Sequence, residues 1–373
     1  AHHQALILLS IDNLINNNIL QKRFMNNPEI RTIDILLQEN MPENVIITKE
    51  RKEKIDKIKY VGYNSYTEKI YTKINEKLNN YNLISNGEYS TIIDEKGNGF
   101  SKYKDIQVNR FKETNDYKQG IYFYIKNIRT KKVWKSVYTN NVDEYKVHFT
   151  PDTNKFVRKD ENIETITKII VAPNENVEIR RIELKNIGNT EEILEVTSVL
   201  EPILSTKEQD FAHPAFNNLF LKYSMLEDNT IFIMRNKRGN VEPIYLAVNL
   251  FSNNETIGEL EYEIDKDKLY ENGNIEIPKA IKDSKPFSKT LGLVTEPIVA
   301  LKRTIKILPG EKVTLNLIIS VSDNEEEAKN NIKLYENNEN VERCFELSRT
   351  RVEEEARYLE ITGSDIENFQ KVM

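Results

Sequence analysis

The sequence predicts a mainly β protein, an antiparallel β-sandwich with helical segments at both of its ends. Between about residue 60 and residue 322, apolar residues repeat with a period of two, which is typical of strands with one buried face. Before and after this region, apolar residues return at helical spacing. The predicted strands do not alternate with helices, which excludes doubly wound folds and (β/α)8 barrels.

The first 42 residues are predicted to be helical. Leu6 and Leu9 share one helical face, and neighbouring apolar residues widen it. Asn27 followed by Pro28 is a helix-start signal, because asparagine caps the first turn and proline lacks an N–H group that this turn leaves unused. Residues 43–59 are polar and are predicted to form a linker.

Two strands near the end of the β region are predicted to form a hairpin. Residues Val313–Val321 show the clearest period of two in the chain. Leu301–Leu308 precede them, and the turn Pro309–Lys312 lies between the two. Further strands are predicted at Gly120–Ile125, Glu164–Ala172, Val177–Leu184, Ile193–Leu200, Leu219–Met225 and Thr230–Arg235. Short strands at regular spacing favour one large sandwich over residues 60–322.

The segment 323–373 is predicted to be a helical linker. Two Ser-x-x-Glu patterns, which begin at Ser322 and Ser364, fit the capping box of a helix start. The first predicts a helix that ends at Tyr335, and a second helix is predicted over residues 341–359. The helix that begins at Ser364 would stop after two turns, so we expect the parent protein to continue beyond it.

Composition narrows the classes of function. With 53 basic and 59 acidic residues, the net charge of −6 argues against a nucleic-acid partner. The single cysteine, Cys344, excludes an intrachain disulfide and a cysteine-rich metal site, and it suits a reducing compartment. The apolar run Ala5–Ile11 is far shorter than the roughly 18 residues of a membrane span. We therefore expect a cytoplasmic chain without a membrane span or a nucleic-acid partner.

Four common catalytic and ligand-binding motifs are absent from the sequence. It contains no Gly-x-Ser-x-Gly elbow, no Walker loop, no dinucleotide fingerprint and no His-Glu-x-x-His zinc motif. His2 and His3 are neighbours that point about 100° apart on a helix, so they do not form a paired metal face. The sequence therefore predicts no catalytic residue and no metal ligand in this chain.

One segment between two predicted strands combines an acid, a histidine, aromatic rings and amides. Its candidate binding residues are Asp210, His213, Phe216, Asn217 and Asn218. Sugar sites use such parts, with aromatic faces against the apolar side of the ring and polar groups against the hydroxyls. The alternative is a polar loop with a packed phenylalanine and a turn set by proline, and the residues alone favour this alternative.

Two further features are predicted to be structural. Trp134, the single tryptophan, lies in a predicted strand, and a strand tryptophan is more often part of the core than a ligand platform. Gly97 and Gly99 follow the strand-like residues Tyr89–Ile93, and their spacing predicts a hairpin turn.

Four stretches together resemble a known family. They are Leu83–Ser90, Gly97–Tyr103, Trp134–Tyr138 and Ala212–Phe216. They resemble the β-sandwich of the cellobiose and chitobiose phosphorylases, glycoside hydrolase family 94, and above all the phosphorylase-like region of cyclic β-1,2-glucan synthases. One residue is inserted in the Trp-Ser-x-x-Tyr motif of that subgroup. Residues 1–42, with Ile35–Glu39 among them, resemble the end of the glycoamylase-like barrel of the same large enzymes.

The resemblance implies a galactose-mutarotase-like β-super-sandwich, then linker helices, then an (α/α)6 catalytic barrel. In that family, an aspartate of the barrel protonates the glycosidic oxygen while inorganic phosphate attacks the anomeric carbon with inversion. This chain ends at Met373, within the predicted linker, so we expect the barrel to be missing and the chain alone to be inactive. Phosphate is the co-substrate of the parent family, and no other cofactor is implied.

The resemblance also implies a binding role for the candidate segment. In such enzymes, a sandwich loop reaches the mouth of the barrel and helps to form the subsite for the acceptor sugar. Residues Asp210–Asn218 match this loop, which would place the polar side chains of His213, Asn217 and Asn218 against sugar hydroxyls and Phe216 on a ring face. The family often has an arginine near the position of Asn217. The expected partners are a β-linked gluco-oligosaccharide and the barrel.

Two other functions are left open by the sequence. In the first, the chain is a structural module that forms a homodimer and has no ligand site of its own. In the second, it is an independent mutarotase-like enzyme. Mutarotase chemistry uses an acid and a base, typically histidine and glutamate. The predicted sandwich holds His148 and His213, and neither lies in a mutarotase motif.

Overall fold

The computed structural model describes residues 2–26, 68–74, 79–111, 120–140, 142–236, 242–271, 276–359 and 365. The chain forms two compact units, residues 1–61 and residues 62–373. The domain boundaries predicted at residues 42, 59 and 322 stay predictions.

The described part of the first unit is helical, as predicted. It consists of α1 (His2–Ile15) and α2 (Ile19–Met25). Asn17 and Asn18 join them with left-handed φ angles of 52° and 61°, a conformation that asparagine tolerates better than most residues. The helix start predicted at Asn27 and the predicted linker lie outside the described residues.

The second unit is built mainly from strands. In chain order they are β1 (Lys69–Tyr71), β2 (Tyr81–Ser85), β3 (Tyr89–Asp94), β4 (Gly99–Tyr103), β5 (Ile106–Asn109), β6 (Tyr122–Asn127), β7 (Val133–Lys135), β8 (Glu144–Phe149), β9 (Asn154–Asp160), β10 (Ile163–Val171), β11 (Val177–Asn186), β12 (Glu192–Leu200), β13 (Pro202–Ser205), β14 (Leu221–Met225), β15 (Ile231–Arg235), β16 (Ile244–Ser252), β17 (Thr256–Asp265), β18 (Pro297–Ile307) and β19 (Lys312–Ser322). The helices are α3 (Lys207–Ala212), α4 (Pro214–Asn218), α5 (Lys266–Tyr270), α6 (Lys279–Lys282), α7 (Glu325–Tyr335) and α8 (Asn338–Tyr358).

The strands form antiparallel sheets, so the predicted fold class is confirmed. Sheet one has the order β1-β8-β9-β10-β11-β19-β16-β15-β14, sheet two has the order β17-β18-β12-β6-β7, and sheet three has the order β13-β5-β4-β3-β2. The main core combines apolar side chains from all three sheets, among them Ile182 of sheet one, Val196 of sheet two and Tyr89 of sheet three. Every strand predicted individually is present, with ends that shift by at most two residues, except that β18 begins four residues before the predicted start at Leu301.

The predicted hairpin of the last two strands is wrong. β18 pairs with β12 and β17 in sheet two, whereas β19 pairs with β11 and β16 in sheet one. The turn between β18 and β19 therefore crosses from one sheet to the other, as does the connection from β11 to β12. The two crossings lie side by side, because Gly310 N donates to Asn186 O at 2.9 Å and Asn186 N donates to Glu311 O at 3.0 Å.

The turn predicted around Gly97 is confirmed. β3 and β4 pair as a hairpin, and the Oδ1 atom of Asp94 accepts hydrogen bonds from the backbone N–H groups of Lys96 at 2.9 Å and Asn98 at 2.7 Å. Trp134 is also placed as predicted, since it is buried in the main core.

Two helices cover part of the outer face of sheet one. Their ends at Tyr335 and Tyr358 agree with the prediction, but the first cap does not. Asn324 caps α7 by accepting from Glu327 N at 3.1 Å, while Ser322 Oγ accepts from Asn324 N at 3.0 Å. The cap prediction is therefore wrong by two residues. The helix start predicted at Ser364 lies outside the described residues.

None of the helices in the described part of the chain is both long and apolar enough to cross a membrane.

Candidate functional site

The candidate segment folds into two short helices between β13 and β14. Thr206 caps α3 by accepting a hydrogen bond from Gln209 N at 3.4 Å. His213 lies between the two helices, and Pro214 occupies the first position of α4, where its missing N–H group costs nothing. We call residues 207–219 the helical loop.

A buried ion pair attaches the helical loop to sheet three. Arg110, which follows β5, donates from Nη2 to Asp210 Oδ1 at 2.7 Å and from Nε to Oδ2 at 3.1 Å. Both side chains are buried. Burial alone would lower the pKa of Arg110, but the hydrogen bond and the charge of Asp210 raise it above its ordinary value. The pair is bidentate and therefore fixes the orientation of α3 as well as its position.

The two asparagines of α4 are also anchored. Asn218 Oδ1 accepts from Arg110 Nη2 at 2.9 Å, and Asn218 Nδ2 donates to Thr295 O at 2.9 Å. Asn217 Nδ2 donates to Ser205 Oγ at 2.9 Å. Asn217 Oδ1 is buried and has no hydrogen-bond donor among the described residues. These contacts hold the base of the helical loop against the sheets.

The remaining candidates lie on the opposite, exposed side of the helical loop. His213 is exposed, and Phe216 is 46% exposed with its ring edge against Phe220 at a centroid distance of 5.2 Å. Phe211 and Leu219 are exposed beside them in the chain. The structure therefore divides the five candidates into a buried set, Asp210, Asn217 and Asn218, and an exposed pair, His213 and Phe216.

Sequence reasoning missed three residues of this arrangement. Arg110 has no local motif, and it meets Asp210 across 100 positions of the chain. Phe211 and Leu219 belong to a segment already singled out, but no periodicity indicates that a short helix exposes them.

The comparisons with known proteins agree with the sheets described above. Residues 64–338 match the model of the glycosyl hydrolase 94 supersandwich domain. The chain belongs to this family. The resemblance of the sequence to glycoside hydrolase family 94 is therefore confirmed, and so is the super-sandwich fold that it implies.

One relative matches the chain over a longer range than the family model does. The chain is 25% identical over 379 residues to the cyclic beta-(1,2)-glucan synthase NdvB of Rhizobium meliloti (strain 1021). The alignment covers 99% of this chain and 13% of the relative, so the chain spans about an eighth of that protein's length.

Solved structures show weaker likenesses to this supersandwich chain. A bacterial glucoamylase complexed with acarbose has a TM-score of 0.43 and 13% identity, with 76% of this chain and 40% of that chain covered. A putative aldose 1-epimerase from Escherichia coli K12 has a TM-score of 0.37 and 7% identity, with 66% and 99% covered. A putative kojibiose phosphorylase from the human microbiome has a TM-score of 0.34 and 8% identity, with 79% and 29% covered.

The histidines of the supersandwich are on separate elements. His148, on β8, has its Nδ1 atom 2.7 Å from Glu68 Oε1, whereas His213 belongs to the helical loop. Within the described ranges, no three histidine, cysteine, aspartate or glutamate side chains lie close enough together to hold a metal ion.

Proposed function

We propose that this chain is the carbohydrate-facing accessory region of a larger β-glucan phosphorylase or cyclic β-1,2-glucan synthase-like enzyme. The observation that carries the proposal is the match of 99% of the chain to a cyclic glucan synthase, together with the supersandwich family match. In this proposal, the chemistry belongs to an (α/α)6 barrel outside these 373 residues. Inorganic phosphate is the co-substrate of that barrel, and this chain alone does not turn over a substrate.

The helical loop is the proposed contact with the oligosaccharide. Phe216 offers a half-exposed ring to the apolar face of a sugar, and the exposed imidazole of His213 carries ring nitrogens that can form hydrogen bonds with hydroxyls. The side chains of Asp210, Asn217 and Asn218 already make hydrogen bonds inside the chain, so a sugar would have to compete for them. We assign these three to positioning the loop and the exposed pair to the sugar.

Isothermal titration with β-1,2-gluco-oligosaccharides tests this assignment. We expect the variant His213→Ala with Phe216→Ala to weaken binding at least ~10-fold, which corresponds to about 1.4 kcal/mol. The matched control is Tyr358→Ala, which removes another exposed aromatic side chain at the end of α8. Unchanged affinity of the double variant would remove the helical loop from the proposal.

A second candidate function is a structural module that forms dimers. The observation that favours it is the exposure of Phe211, at 82%, and of Leu219, at 56%, because clustered exposed apolar residues often mark protein contacts. Sedimentation velocity on the same protein separates the two functions. A dimer that dissociates when Phe211 is changed to glutamate, in a chain that binds no oligosaccharide, would favour the structural module.

A further inference from the structure

The exposed ring of Phe216 is the outer end of a row of three side chains that leads into the interior. Phe216 lies in α4, and Phe220 follows the helical loop directly before β14. The two rings meet at a centroid distance of 5.2 Å and an interplanar angle of 81°, which is an edge-to-face contact. Phe220 is only partly exposed, so Phe216 rests on a ring that the chain holds partly away from water.

The third member of the row is Arg235, at the end of β15. Its guanidinium carbon lies 5.5 Å from the centre of the Phe220 ring, within the roughly 6 Å of a cation–π contact. Arg235 is 3% exposed. Its Nη1 atom donates to Ile203 O at 3.3 Å and to Asn217 O at 3.5 Å. Because these bonds fix the guanidinium between β13 and α4, it is a rigid support for the ring.

The backbone of Phe220 is attached at the same place. Phe220 O accepts from Asn236 N at 2.9 Å, and Phe220 N donates to Asn217 O at 3.3 Å. Both the ring and the backbone of Phe220 are therefore held by α4 and by the end of β15. A phenylalanine that is 46% exposed, as Phe216 is, would populate several rotamers if no such ring supported it.

We propose that Phe220 and Arg235 are positioning residues of the carbohydrate site, which hold the Phe216 ring in the orientation that stacks on a sugar. This inference rests on the proposed function of the helical loop. Neither positioning residue touches the sugar, because each acts through the next member of the row. A side chain that is ordered before binding spares the complex the entropy cost of ordering it, which corresponds to a gain of roughly two- to tenfold in affinity.

Isothermal titration of the full chain with linear β-1,2-gluco-oligosaccharides tests the role of Phe220. Leucine keeps an apolar side chain without a ring, so we expect Phe220→Leu to lower the affinity about fivefold. Phe220→Tyr keeps the ring and should retain most of the affinity. An unchanged affinity in Phe220→Leu, or an equal loss in the leucine and tyrosine variants, overturns the proposal.

A second comparison tests whether Phe220 acts through Phe216. Saturation-transfer NMR measures the weaker sugar binding of Phe216→Ala with and without Phe220→Leu. We expect the added substitution to have no effect, because the ring that Phe220 orients is already absent. If Phe220 instead holds the whole helical loop, the added substitution also displaces His213 and weakens binding further, which overturns the proposal.

Arg235→Lys tests the inner end of the row. Lysine keeps the positive charge but lacks the planar guanidinium that faces the Phe220 ring. We therefore expect an affinity loss of about twofold in the chain with Phe216, and none when Phe216→Ala is also present. An unchanged affinity in the first case removes Arg235 from the proposal.

Thermal unfolding separates positioning from a general loss of stability. Fluorescence of Trp134, the single tryptophan, follows the transition. The matched control is Phe232→Leu, which removes a buried ring that stacks on Tyr245 at 5.9 Å and belongs to the cluster beneath α7 and α8. We expect both leucine variants to lower the unfolding midpoint, and only Phe220→Leu to lower the sugar affinity. Equal affinity losses in the two variants overturn the proposal.

The unchanged chain separates this inference from the proposed function. If it binds none of the oligosaccharides, the proposed sugar contact itself is wrong, and the positioning role is wrong with it. If it binds them and Phe220→Leu binds equally well, only the positioning role is overturned.

Discussion

Arg110 and Asp210 carry opposite charges in a place where water is almost excluded. Each charge loses its hydration on burial, and the short bidentate contact of 2.7 and 3.1 Å compensates for that loss. The next carboxylate, Glu201, has its Oε2 atom 3.9 Å from Arg110 Nη1, so it replaces Asp210 only in part. Removal of one partner is therefore far more costly than the net value of the pair.

We predict that Asp210→Asn lowers the free energy of unfolding by about 3 kcal/mol, because it leaves the buried guanidinium of Arg110 without its carboxylate partner. Urea unfolding followed by circular dichroism measures it. The matched control is Glu191→Gln, which breaks the exposed pair with Lys306 at 2.8 Å and should cost less than about 1 kcal/mol. Equal losses in the two variants would contradict the anchoring role of Asp210.

The hairpin turn between β3 and β4 depends on Gly97 for two reasons. Its φ angle is +84°, and a Cβ atom there would lie 2.3 Å from Val137 Cγ1. Gly87, in the turn between β2 and β3, has a φ angle of +101°, but a Cβ atom there would meet nothing within 4 Å. Both glycines have a positive φ angle, but only Gly97 lacks the space for a Cβ atom.

For this element, we predict that Gly87→Ala costs about 1 kcal/mol of unfolding free energy from the backbone alone. Gly97→Ala should cost about 1–3 kcal/mol more, because Val137 and the strand that follows must shift. Chemical denaturation of both variants gives the difference. Adding Val137→Ala to Gly97→Ala should recover part of it, and a double variant with no recovery would exclude the clash as the cause.

The strands were predictable because apolar or buried residues recur at every second position, as the burial of β9 shows, and as the apolar residues of β19 show although both faces of β19 are buried. The pairing of the strands could not be predicted, because alternation shows which face of the sheet a residue lies on but not which strand lies next to it. The turn after Leu308 has the composition of a hairpin, yet its partner is the neighbouring crossing at Asn186. The candidate site had the same limit. The composition of residues 210–218 was visible, but the burial of Asp210 depends on a contact 100 residues away.

The last two helices are tied into the sandwich. Ala328, Ile332 and Val341 form one apolar cluster with Ile179 and Ile318 of sheet one. Polar contacts add to it, because Tyr335 donates to Glu175 Oε2 at 2.7 Å. The family match ends at residue 338, the first residue of α8, and so includes all of α7. The helices therefore pack on part of the outer face of sheet one, and the second unit should unfold as a whole.

The variant Ile332→Ala tests whether the second unit unfolds as a whole. Ile332 is fully buried, so its truncation should cost about 2–4 kcal/mol, whereas Leu334→Ala on the same helix removes a 41% exposed side chain and should cost less than about 1 kcal/mol. Trp134 reports on sheet two, away from these helices, and circular dichroism reports on the helices and sheets together. If the unit unfolds cooperatively, Ile332→Ala shifts both signals by the same amount. A shift confined to circular dichroism, with the Trp134 transition unchanged, would show that the helices unfold separately from the sandwich.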